Sequence, residues 1–139
     1  MAVKLRIEDW VFDIDMARTM EYSAEEATGH CTCDDCLNFY AAVDGKYPEL
    51  RPFLAQFGLD LEAPEQMSPV MLDRQQIDYD PSYIVYGSVL QYGTYEMAAG
   101  NARIIAEAEP DADYFWLHCY DVILPWVLEK SLKQEKTRS

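Results

Sequence analysis

Histidine is almost missing from this chain: His30 and His118 are the only two in 139 residues. No His-x₃-His pair or His-Glu-x-x-His helix can be built from them, which removes the histidine-rich metal sites. Basic residues are scarce as well, 11 against 25 acidic, for a formal net charge of −14. The last ten residues hold Lys130, Lys133, Lys136 and Arg138 against Glu135, so the body ahead of them is more negative still. Such a body repels nucleic-acid phosphates and anionic lipid, whose binders depend on basic patches. Long apolar runs are missing, and none approaches the roughly 20 residues that cross a bilayer. Lys4 and Arg6 interrupt the N-terminus before a signal-peptide core can form. The expectation is a cytoplasmic protein with neither nucleic acid nor membrane as partner. Six scattered glycines supply no phosphate-cradling loop, no Ser-His-Asp order is present and no segment repeats.

What is present suffices for one folded domain. Half of the residues are hydrophobic and 13% are aromatic, enough apolar surface to offset chain entropy. Val3, Leu5 and Ile7 alternate with polar residues, and Trp10, Phe12, Ile14 and Met16 alternate in the opposite phase. That predicts two strand segments with a turn or bulge at Glu8-Asp9. Residues 18–28 show no clear period and read as a loop or a short helical turn. Cys36, Phe39, Tyr40 and Val43 fall at helical spacing, with Asp34 or Asp35 as cap and Asp44-Gly45 as stop. Leu50, Phe53, Leu54 and Phe57 mark a second short helix, with Pro52 in its first turn and Gly58 ending it. Residues 60–69 form a connector. Strands follow over 83–92, with Gly87 as a bulge, over 102–108 and over 114–123, separated by turns at Gly100 and Pro110. The sum is a single α+β domain over residues 1–129, a mainly antiparallel sheet with two short helices inserted after the first strands. A polar, frayed tail over 130–139 completes it.

The chemistry concentrates in Cys31-Thr32-Cys33-Asp34-Asp35-Cys36, which holds three of the four cysteines. Zinc takes four ligands in a tetrahedron, and a Cys-x-x-Cys turn presents two thiolates at the needed separation. Cys31, Cys33 and Cys36 are therefore candidate metal ligands, with zinc the implied cofactor. No second Cys-x-x-Cys exists to finish the site. His30, His118, Cys119 and local carboxylates are the candidates for the fourth position. His118 and Cys119 are strand neighbours and face opposite ways, so at most one can point at the cluster. Two other readings stand beside metal: reduced structural thiols, with Cys36 opening the helical stripe, and redox work. For redox, the helix dipole would lower the Cys36 thiol, while Asp34 and Asp35 would raise it.

Other patterns carry less. Cys119 shares a strand face with Phe115 and Leu117 and reads as a buried small hydrophobe. His118 reads as a satisfied sheet residue and His30 as a loop residue beside the cluster. Asp13 with Asp15, and Asp111 with Asp113, could hold a hard cation, though in a chain this acidic solvated faces explain such pairs. Tyr83, Tyr86, Tyr92 and Tyr95 could line a pocket, and equally form core or cross-strand pairs.

The string Cys31-x-Cys33-x-x-Cys36-x-Asn38-Phe39 is followed by Tyr47-Pro48-Glu49-Leu50, by Gly58-Leu59-Asp60 with Pro64 after it, and by Pro125-Trp126-Val127-Leu128-Glu129. In that order these pieces resemble a family of small, uncharacterised bacterial proteins with the same cysteine signature. The resemblance implies bacterial origin and cytoplasmic residence, and it transfers no reaction. The expected function is that of a non-enzymatic protein whose cysteine cluster is a structural element, zinc-bound or not, acting through a protein partner. Two alternatives belong to other classes: a metal- or thiol-dependent enzyme centred on Cys31, Cys33 and Cys36, and an acidic inhibitor or immunity-type protein for a basic target.

Overall fold

The computed structural model describes residues 2–28 and 31–128. His30 and the tail over 130–139 lie outside the described residues. The alternation at the N-terminus makes a hairpin, β1 (Ala2–Ile7) and β2 (Trp10–Asp15), with Ile7 opposite Trp10. Glu8 takes the left-handed backbone, φ 53°, that a two-residue turn requires. Trp10, Phe12 and Ile14 point inward, as their alternation predicts. Asp9 ties the turn to a later loop by accepting from the Thr94 backbone N–H at 3.0 Å and its hydroxyl at 2.6 Å.

Residues 18–28, expected as a loop or a short helical turn, are helical throughout. They belong to a 13-residue helix, α1 (Met16–Thr28), so three helices rather than two follow the first hairpin. Its buried side is built partly from hydroxyls: Thr19 and Ser23 are both buried. Thr19 Oγ1 accepts from the Tyr86 backbone N–H at 3.0 Å. Ser23 Oγ accepts from the Asp60 N–H at 2.8 Å. No apolar stripe marks such a helix.

Helix α2 (Asp34–Lys46) buries Asn38, Phe39, Ala42 and Val43. Its N-cap is Cys33, with no side-chain capping bond. Asp34 and Asp35 lie in the first turn and favour the helix through its dipole instead of capping it. Gly45 does not stop it; the helix runs to Lys46 and closes with Tyr47 N–H on the Val43 carbonyl at 2.8 Å, just before Pro48. Helix α3 (Leu50–Ala55) holds Pro52 in its first turn and buries Leu50, Phe53 and Leu54. Gly58, at φ 85°, ends the segment.

The remaining strands are β3 (Val70–Met71), β4 (Gln76–Asp78), β5 (Ser82–Gln91), β6 (Met97–Ala99), β7 (Ala102–Ala108), β8 (Tyr114–Tyr120) and β9 (Ile123–Pro125). They form an antiparallel six-stranded sheet in the order β1-β2-β5-β8-β7-β6, and a three-stranded sheet in the order β3-β4-β9. The expected strand over 114–123 is cut at Asp121, φ 62°, so its last residues enter the small sheet. β5 is stepped: residues 82–86 pair with β8 and residues 87–91 pair with β2. The slip in that ladder falls between Val11 and Phe12, opposite Gln91 and Val89, and not at Gly87. Gly87 serves a close approach instead, since a Cβ there would lie 2.0 Å from the Asp13 carbonyl oxygen.

The core sits between the sheet and α2–α3. Phe12 stacks on Phe115, ring centroids 5.3 Å apart, and meets Phe57 edge-on at 5.1 Å. The edge strand β3 and the residue after it leave Val70, Met71 and Leu72 exposed. No helix among the described residues is long and apolar enough to cross a membrane.

One buried carboxyl in the small sheet makes stability depend on pH. Asp78 has an Oδ1 without a hydrogen-bond partner, and burial, with Asp80 and Asp121 nearby, pushes its carboxyl up to about 7 from the ordinary 3.8. Between those values the folded chain keeps a proton that the unfolded chain releases, so this group's contribution to stability falls as pH rises through the window. Asp78→Asn removes the charge and keeps the shape. It is expected to raise the melting temperature by a few degrees near pH 8 and hardly at all near pH 4. Thermal scans of both proteins across that range would show the gap opening; a gap of constant size would refute the assignment.

Candidate metal centre

The three cysteines of the signature meet where the chain enters α2. Cys33 caps the helix, Cys36 lies in its first turn, and Cys31 precedes both in extended chain. Their sulfurs all lie within 4.8 Å of one another. A tetrahedral zinc with Zn–S bonds of about 2.3 Å sets sulfurs about 3.8 Å apart, so small rotations of exposed side chains would close the triangle. Cys31 and Cys33 are exposed and Cys36 is half-buried.

Hydrogen bonds hold the entrance in place. Cys33 N–H donates to Cys31 Sγ at 3.3 Å. The Tyr40 hydroxyl, one turn along α2, donates to the Cys31 carbonyl at 3.0 Å. The buried Tyr79 donates its hydroxyl to the Asp35 carbonyl at 2.8 Å and accepts from Asn38 Nδ2 at 3.1 Å. Asn38, fully buried, also donates to the Pro125 carbonyl at 3.1 Å and accepts from Val127 N–H at 2.7 Å. The first turn of α2 is thus locked to β9 and the segment after it.

The thiols divide in a way opposite to the helix-dipole argument. Burial pushes the Cys36 thiol up to about 12, with Cys31 and Cys33 adding to the effect. Cys31 is lowered, chiefly by the Cys33 backbone N–H and then by the Cys33 and Cys36 thiols. The readier thiolate is therefore Cys31, outside the helix, and at Cys36 the raising influences outweigh the helix dipole.

Neither fourth-ligand candidate on β8 reaches the cluster. Cys119 is buried beneath the sheet, in line with Phe115 and Leu117, and burial raises its thiol. His118 faces the other side, with Nδ1 2.8 Å from Ser82 Oγ and Nε2 3.0 Å from Glu107 Oε1. Both ring nitrogens are engaged, as expected of a satisfied sheet histidine. Of the tyrosines, Tyr83 is buried and donates to the Leu61 carbonyl at 2.6 Å. Tyr86 carries the Arg18 guanidinium 3.9 Å from its ring centroid. Neither lines the cavity at the cysteines.

That cavity, about 460 Å³, opens beside the thiols. The cysteines form one wall; Glu26 from α1 and Glu65 and Met67 from the connector line it too, with Asp35 and Tyr40. Tyr22 donates its hydroxyl to Glu65 Oε1. Burial, then the neighbouring Glu65, raises the Glu26 carboxyl. Sequence reasoning missed Glu26 and Glu65. They lie apart in the chain, and in a protein with 25 acidic residues nothing local distinguishes them. Comparison with known proteins finds no matching family model, no matching characterised protein and no matching solved structure.

Proposed function

We propose that this chain is a metal-binding protein in which Cys31, Cys33 and Cys36 hold one zinc ion at the entrance to α2. The observation that carries this is the approach of three sulfurs to within 4.8 Å of one another. Three thiolates suit a borderline-soft ion such as zinc far better than magnesium or calcium, which prefer oxygen. A bacterial, cytoplasmic setting and a protein partner for the acidic surface follow from the sequence resemblance and the charge, and belong to this same proposal.

Metal content decides the matter. Elemental analysis of protein purified without chelator is expected to give about one zinc per chain, with thiols that titrate fully only after chelation. Cys33→Ser is expected to abolish the zinc and lower the melting temperature by several degrees, because metal binding free energy is also folding free energy. A metal-free protein in which Cys31, Cys33 and Cys36 titrate freely, and which melts like its Cys33→Ser variant, would end this reading.

A further inference from the structure

A zinc ion on three protein ligands is one ligand short, and the surroundings of the missing position decide what it does. Among the described residues no fourth nitrogen or sulfur joins the three thiols. What adjoins them is a cavity large enough for a small molecule, and among the described residues its lining contains carboxylates but no lysine or arginine. Two of those carboxylates, Glu26 and Glu65, come from different elements and line the cavity together, with the Tyr22 hydroxyl donating to Glu65. Two neighbouring carboxyl groups can between them accept one proton and return one. Neither belongs to the group of ligand atoms that could reach the same ion as the thiols. A zinc held by three protein ligands, with a nearby carboxylate that is not itself a ligand, is an arrangement that activates water.

We infer that Cys31, Cys33 and Cys36 would hold a zinc ion beside this cavity, where it would supply the polarisation of a water, and that Glu26 and Glu65 take that water's proton during hydrolysis of a small neutral or cationic substrate. The inference rests on the zinc reading above. In the step it describes, the carboxylate pair takes a proton from a water whose acidity a zinc held by the three thiolates would raise. The hydroxide so formed adds to an electrophilic carbon of the substrate. The bond from that carbon to the leaving group then breaks, and the leaving group departs with the proton the pair had taken. The balance is substrate plus water giving hydroxylated product plus protonated leaving group, with no change of oxidation state. The acidic lining excludes anionic substrates, which would meet three thiolates and the carboxylates together.

Cobalt in place of zinc makes the fourth ligand visible through its d–d absorption. Imidazole, neutral near pH 8, is expected to shift the bands of the cobalt-loaded protein. Azide, an anion of comparable size, is expected to bind at least tenfold more weakly, and the Glu26→Gln/Glu65→Gln double variant to narrow that difference. With the zinc-loaded protein and 4-nitrophenyl acetate as a neutral probe, Glu65→Gln is expected to lower kcat/KM about 100-fold while zinc content stays at one per chain. Glu26→Gln, which leaves the Tyr22–Glu65 bond in place, is expected to lower it as well and serves as the test if Glu65→Gln does not fold. Bound metal with cobalt bands indifferent to imidazole, or zinc-dependent hydrolysis that is absent or equal in wild type and both single variants, would overturn the inference and leave the zinc reading intact. A chain that binds no zinc at all would overturn that reading first.

Discussion

Asn38→Ala is expected to destabilise the fold by about 3 kcal/mol, or roughly 10 °C in melting temperature. The side chain is fully buried and all of its capacity in this environment is used: Nδ2 donates to Tyr79 Oη and the Pro125 carbonyl, and Oδ1 accepts from Val127 N–H. Truncation leaves a part-buried N–H and a part-buried carbonyl without partners, each costing about 1–3 kcal/mol, and opens a void beside Tyr79. Asn38→Asp is the sharper control. It keeps an acceptor for Val127 N–H but turns a second acceptor, or a buried charge, toward the Pro125 carbonyl. It should be no better than alanine at neutral pH. Chemical denaturation of the three proteins measures the order directly; an aspartate variant as stable as wild type would show that the Pro125 contact contributes nothing.

Gly87→Ala is expected to cost about 3 kcal/mol, by a different route. Gly87 has φ 142°, which disfavours any L side chain, and the added methyl would lie 2.0 Å from the Asp13 carbonyl oxygen. The obstacle is backbone on the neighbouring strand and has no rotamer with which to retreat, so β2 must move away from β5. The damage should be regional. Amide exchange is expected to accelerate in β1 and β2 while β7 and β8 keep their protection. Uniform loss of protection across all strands would mean that the stepped sheet opens as one unit.

These two residues also show what could be read before the coordinates and what could not. The hairpin over residues 2–15 reads by alternation, since Phe12 and Ile14 of β2 are buried and Leu5 and Ile7 of β1 half-buried; β7 alternates only weakly in sequence, although Ala102, Ile104 and Ala106 are buried. Helix α3 follows from Leu50, Phe53, Leu54 and Phe57, all buried as their spacing requires. Helix α1 escaped because Thr19 and Ser23 occupy its buried face and bind backbone groups of β5 and the connector. The lack of any glycine or proline between residues 16 and 28, and Asp15 placed to accept the Arg18 N–H at its start, were its local traces. The small sheet escaped because its strands are two or three residues long and exist through pairing between distant segments. At the site, the three thiols were visible as a spacing. The opposing carboxylates were not, since Glu26 and Glu65 meet only once α1 and the connector are placed. Two of the sequence fragments meet the C-terminal segment in the fold. Asn38 of the cysteine string holds Pro125 and Val127 of the C-terminal string, and the Tyr47 hydroxyl donates to the Asp121 carbonyl at 2.8 Å while accepting from Ile123 N–H at 3.0 Å.

The exposed edge at β3 has a consequence for how copies of this protein behave in a crowded solution. A short edge strand displaying Val70, Met71 and Leu72 offers unpaired backbone groups and apolar contact together, the combination that recruits a neighbouring strand. Two copies approaching through those edges bring two bodies of charge −14 toward each other. Their repulsion extends over about 8 Å at physiological ionic strength and shrinks as salt is added. The acid surplus, which contributes little to the fold, thus acts as a colloidal barrier guarding its stickiest edge.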